Sequence, residues 1–277
     1  MSPEGSRRRS AVRRFFATPK GLLIILLAIL AALAALSEGA RLIAPGLCSA
    51  VVAAALIDIP ILRWRSRLWQ VPSGAILTGL LVAMVLSPHE PWYVPAVTSV
   101  IAIVSKYLLR TRTANVFNPA ALALVATFYV FDTAQSWWGA LPEITPLALI
   151  ALFATGVFIT QRVNKLPAVL AFLGSYYLLF TLTAFIGDPR RVAALYRAPD
   201  LHAALFFAFF MVTDPPTSPP KPRDQLTFGA IVGVASYVFF EVIGAAYFLL
   251  AGLLVGNAWE AARRWRMRAK RDPRRSS

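Results

Sequence analysis

Ten apolar blocks follow one another along the chain, at residues 21–36, 42–62, 73–86, 92–109, 119–131, 146–160, 166–186, 201–212, 226–243 and 245–259. The apolar residues fall in blocks instead of forming stripes, which is the pattern of helices surrounded by lipid and by one another. The expected architecture is an all-α polytopic membrane protein of about ten transmembrane helices, forming one transmembrane domain over residues 21–260. A single helix over the last two blocks would be about 50 Å long at 1.5 Å per residue, so a turn near Gly244 is expected instead. The first block also fits a cleaved signal peptide, but the next block follows almost at once, as in a stop-transfer pattern.

Two blocks, 73–86 and 201–212, are shorter than the roughly 20 residues that a hydrocarbon core requires. Each runs into proline, at Ser87-Pro88 and Asp214-Pro215, and each is third in its own set of five. Short, proline-interrupted segments at matching places predict two inverted five-helix repeats, over residues 21–132 and 146–260, whose broken helices meet at a midplane site.

Charge sharpens this picture. The chain is 58% hydrophobic and carries a formal net charge of +15, yet its basic residues sit at the two ends and in the short loops. If all ten blocks cross, every Lys and Arg except Arg41, Arg190, Arg191 and Arg197 falls on one side. That asymmetry places both termini in the cytoplasm, with basic tails at 1–20 and 261–277 suited to anionic lipid headgroups. The same distribution argues against nucleic acid as a partner. Cys48 is the single cysteine and His89 and His202 are the two histidines, which leaves no basis for a metal site.

Three polar clusters interrupt the apolar pattern. Ser73-Gly74-Ala75 opens the short third block, with Thr78-Gly79 one turn on; small residues there suit close backbone approach, for helix packing or for a ligand. Asn115 and Asn118 precede Pro119, where asparagine can cap a helix or present its N-terminus to an anion or carbonyl. The third is Thr213, Asp214, Thr217 and Ser218, set among prolines directly after the apolar 201–212 block. Proline supplies no N–H and ends helices, so this stretch leaves backbone groups to be met by protein or by a polar cavity. Glu241, the carboxylate inside the ninth block, is a candidate for an ion or proton path. No residue stands out as catalytic.

In sequence and order, SGAILTGLLVAMVLSP from Ser73, NVFNPAA from Asn115 and FMVTDPPTSP from Phe210 with the later Phe228-Gly229 resemble one family. It contains the D subunit of the Rnf electron-transport complex and the B subunit of the sodium-translocating NADH:quinone oxidoreductase. The resemblance implies a membrane subunit of an ion-motive electron-transfer complex in the bacterial cytoplasmic membrane, working with other membrane and peripheral subunits. It implies flavin, FMN or riboflavin, with Ser73, Gly74, Thr78, Asn115, Asn118, Thr213, Asp214, Thr217 and Ser218 as candidate binding residues. In the family, FMN is esterified to the threonine of a Ser-Gly-Ala-Thr motif. The matching place here is Thr145-Pro146-Leu147, which keeps the threonine and Pro-Leu but lacks Ser-Gly-Ala and has Glu143 nearby. Thr145 equally suits the cap of a helix beginning at Pro146. Inverted repeats also serve solute channels and carriers, and the degenerate flavin motif would suit a cofactor-free assembly factor.

Overall fold

The computed structural model describes residues 18–67, 69–111, 114–142, 146–187 and 189–271. Among them each apolar block returns as a helix, and no strand is present beyond two isolated bridges. Helix α1 (Pro19–Ala34) begins with proline behind Thr18, whose hydroxyl accepts the Gly21 amide at 3.1 Å. At Gly39 the backbone takes φ 95°, which glycine adopts without a Cβ penalty. The chain then reverses into α2 (Ala40–Ser66). The reversal is read from its ends, because Lys20 and Leu23 of α1 and Leu62 and Arg65 of α2 border one cavity.

The bundle continues with α3 (Ser73–Val85), α4 (Tyr93–Leu108), α5 (Pro119–Phe131), α6 (Leu147–Arg162) and α7 (Leu166–Ile186). A helical turn at Pro189–Ala193 leads to α8 (Asp200–Phe206), which widens into a π-helical turn over Phe207–Met211. Helix α9 (Pro222–Val238) ends in a similar turn, Phe239–Ile243, and Gly244 at φ 69° reverses the chain into α10 (Phe248–Arg271). The expected turn at Gly244 is therefore present. Helix α10 carries the basic sequence that follows residue 260 on to Arg271.

By length and composition three helical stretches can cross a membrane, Pro19–Ser66, Leu166–Ile186 and Pro222–Ile243, the first of them folded back at Gly39. The others are shorter; α3, at 13 residues, is about 20 Å long. Large apolar side chains such as Leu56, Phe153, Leu178, Phe185 and Ile186 point outward, an arrangement suited to lipid and not to water.

Three helix pairings recur at matching places in the two halves. Helix α2 packs on α4 and α4 on α5; α7 packs on α9 and α9 on α10; α1 meets α3 as α6 meets α8. Glycine permits the closest crossings: a Cβ on Gly79 would stand 2.8 Å from the Val51 Cα, and one on Gly229 would stand 2.3 Å from the Ala168 carbonyl oxygen. The halves join through α1 on α6 and α5 on α10.

The starts of α1, α3 and α5 and the ends of α2, α4, α6 and α8 all reach the same cavity, so successive helices alternate in direction. Arg263 of α10 pairs with Asp224 at the start of α9 at 2.8 Å, which brings the last helix to that end too. The opposite end is filled. There Trp138 Nε1 donates to the Ala83 carbonyl at 2.7 Å, Trp137 lies edge-on to Phe206 and Phe207, and His202 Nδ1 sits 3.0 Å from the Ala140 oxygen.

Candidate functional site

The cavity at the basic end measures about 740 Å³. Its far walls are apolar, with Leu23, Leu77, Leu81, Ile159 and Phe210, while polar and charged side chains gather on the elements that begin or end there. Of the residues expected to bind a cofactor, Ser73, Gly74, Thr78, Asn115, Asn118, Thr213 and Asp214 line it together. The two short blocks from opposite halves therefore converge, α3 by its first turn and α8 by its last.

Local chemistry explains each placement. Thr78 Oγ1 donates to the Gly74 carbonyl at 2.9 Å, and Thr213 Oγ1 to that of Phe209 at 2.5 Å, within the turn where α8 has widened. Asn118 caps α5 through the Ala121 amide at 3.1 Å. Its own N–H donates to Asn257 Oδ1 of α10 at 2.8 Å, so the cap is held from the other half of the chain. The Asn118 side-chain NH₂ group, with no partner among the described residues, is left for the cavity.

Thr217 and Ser218 do not line the cavity, contrary to expectation. They lie buried behind Asp214, where Thr217 Oγ1 donates to Asp214 Oδ2 at 2.8 Å and Ser218 Oγ to the Asp214 carbonyl at 2.7 Å. The carbonyls freed by the prolines are likewise met by protein. Arg264 donates to those of Pro216 (2.8 Å) and Ser218 (2.9 Å), and Asn257 to that of Thr217 (3.3 Å). Lys165 donates to the Pro219 carbonyl at 2.6 Å, and Gln225 to that of Pro220 at 3.2 Å. Five consecutive carbonyls thus find side-chain donors, and the segment offers a ligand only its first residues, Thr213 to Pro216.

Glu260, buried at the base of this arrangement, accepts from Arg263 and Arg264 at 2.6–3.0 Å and fixes both. Burial pushes the Lys165 ammonium down to about 8, against the attraction of Asp214. Burial also raises Asp214, opposed by its hydrogen bond from Thr217 and by the charge of Lys165.

Asp58, Lys106 and Tyr107 also face the cavity and were not singled out from sequence. Asp58 Oδ1 accepts from Tyr107 at 2.6 Å and from Lys106 at 3.1 Å. A signal was present: Asp58 is the carboxylate inside the second apolar block, just as Glu241 is in the ninth. Lys20, Arg65 and Arg110 complete a cationic rim. Glu241 itself lies apart, in the turn that ends α9, whereas α9 starts at the basic end.

Thr145 falls outside the described residues. Helix α6 begins at Leu147 and touches the cavity only through Ile159 and Val163, the nearer about 18 Å farther along the helix.

The sequence matches the NQR2, RnfD, RnfE family over residues 12–184 and 144–260. Among curated proteins it is similar to the D subunit of the ion-translocating oxidoreductase complex of Shewanella amazonensis, at 27% identity over 69% of this chain and 75% of that protein. Similar proteins of the same description are found in Pseudomonas aeruginosa, at 30% identity over 60% of this chain and 64% of the relative, and in Haemophilus influenzae, at 36% over 39% and 27%. The latter two alignments span less than two thirds of those relatives.

Proposed function

The chain belongs to the NQR2, RnfD, RnfE family, and from that premise we propose that it is a membrane subunit of an ion-translocating electron-transfer complex that holds a flavin in the cavity at its basic end. The observation that carries this reading is the meeting of α3 and α8, from opposite halves, around a cavity that is apolar on its walls and polar at its mouth. The size fits: sites for small molecules and cofactors run to about 300–1,000 Å³. So does the donor set. Leucine, isoleucine and phenylalanine side chains suit the faces of a flat ring system, Asn115, Asn118, Thr78 and Thr213 suit its heteroatoms, and the cationic rim suits a phosphate or a hydroxylated tail.

A bound flavin supplies one- and two-electron transfer. The chain's own residues bind it, orient it and exclude water from it. The three helix pairings that recur in the two halves support the inverted repeat, and the gathering of basic residues at one end supports its placement in the cytoplasm. Oxidation of a soluble donor would fall to a partner subunit. An FMN ester at Thr145 is a separate proposal from a flavin held in the cavity.

The test is to purify the protein from a host that makes flavin transferase and to examine absorbance and in-gel fluorescence. Flavin released on denaturation, and depleted by Asn115→Ala, supports the cavity as its seat. In-gel fluorescence abolished by Thr145→Ala supports the ester. Protein that carries no flavin under either condition overturns the reading.

A further inference from the structure

We propose that Asp58 and Lys106 form a paired acceptor and donor that selects, among flat redox-active molecules, those presenting an imide edge, an N–H beside a carbonyl. The inference rests on the cavity's being a flavin seat and names what in it distinguishes a flavin from a quinone. The Asp58 side chain is 1% exposed, and Oδ1 is committed to Tyr107 and Lys106. Oδ2 accepts no hydrogen bond from the described residues, and Asp58 is part of the cavity wall. This second oxygen is therefore an acceptor open to whatever occupies the cavity, on a carboxylate whose other oxygen is already used.

Lys106 supplies the other half. Its ammonium has three N–H groups, of which one is used on Asp58. It lies against the first turn of α3, where a Cβ on Gly74 would come within 3.3 Å of Nζ. Glycine at position 74 therefore leaves room for the ammonium beside the carboxylate. The two groups, 3.1 Å apart, present an acceptor next to a donor, which is the complement of an N–H next to C=O. A flavin's pyrimidine ring carries that edge. A quinone carries carbonyls alone and would face Asp58 with a second acceptor.

The experiment uses the full chain in lipid nanodiscs, stripped of flavin, titrated with riboflavin and separately with a short-chain soluble quinone. A riboflavin analogue methylated at the imide nitrogen should bind wild type about 10-fold or more weakly than riboflavin, the range for a lost hydrogen bond to a charged group. Asp58→Ala should weaken riboflavin by a similar factor, leave the methylated analogue unchanged, and leave quinone binding unchanged or tighter. Equal binding of riboflavin and its methylated analogue to wild type overturns the proposal, and needs no variant to fold. Equal loss of riboflavin and quinone in Asp58→Ala also overturns it, leaving Asp58 as the counter-ion of Lys106. Absence of riboflavin binding to wild type instead removes the flavin reading on which this one stands.

Discussion

At the basic end, where α3 begins and α8 finishes, the interrupted helices stand around a cavity of about 740 Å³. At the other end, where α3 finishes and α8 begins, the loop after α5 folds in and Trp137 and Trp138 occupy the space. Both ends rely on a broken helix to bring short segments together. They differ in what fills the break: two indole rings, one of them pinned through its N–H, or small and polar side chains that leave room. The filled end should carry stability and the hollow end binding.

The largest effect expected from this division is at Trp138. Truncation to alanine opens a buried void and removes the bond to Ala83, for a loss of about 3–5 kcal/mol in denaturant unfolding, while flavin retained per folded molecule stays unchanged. Loss of flavin from the folded fraction would break the division. Next is Glu260→Ala at the hollow end, which leaves Arg263 and Arg264 without their shared acceptor. A destabilisation of about 1.5–3 kcal/mol is expected, with faster proteolysis within residues 214–221.

Acid–base behaviour gives a third test. Burial in the folded protein pushes the Lys165 ammonium down to about 8 from its ordinary 10.5. Between those values the unfolded chain binds a proton that the folded chain does not, so this residue's contribution to stability rises with pH across the window and is least favourable below it. Unfolding midpoints of wild type and Lys165→Met, compared at stepped pH, should differ by that rise. The smallest stability effect is expected for Asn115→Ala, within about 0.5 kcal/mol of wild type, although flavin affinity falls several-fold in an equilibrium titration.

Much of the helical plan was legible because lipid exposure and basic loops are properties of contiguous sequence. The blocks returned as helices, the Gly244 turn was found, and the convergence of Ser73 with Thr213 followed from two short segments ending in proline. What escaped was chemistry that depends on the rotation of one helix against another. Asp58 and Lys106 are separated by 48 positions, and nothing in either block says that they face each other. The roles of Thr217 and Ser218 escaped for the opposite reason: their polarity is visible, but its use in tying Asp214 internally depends on a fold of the loop that prolines alone do not specify.

The proline segment has one more implication. Pro215, Pro216, Pro219 and Pro220 contribute acceptors with no amide hydrogens of their own, so the stretch cannot balance itself and borrows donors from places as distant in sequence as Lys165 and Arg264. It acts as a knot that ties the closing helix to the connection between α6 and α7. A shift of the turns of α10 that carry Asn257 and Arg264 would be felt first by the carbonyls of residues 216–218, and through Thr217 and Ser218 by Asp214 at the lip of the chamber.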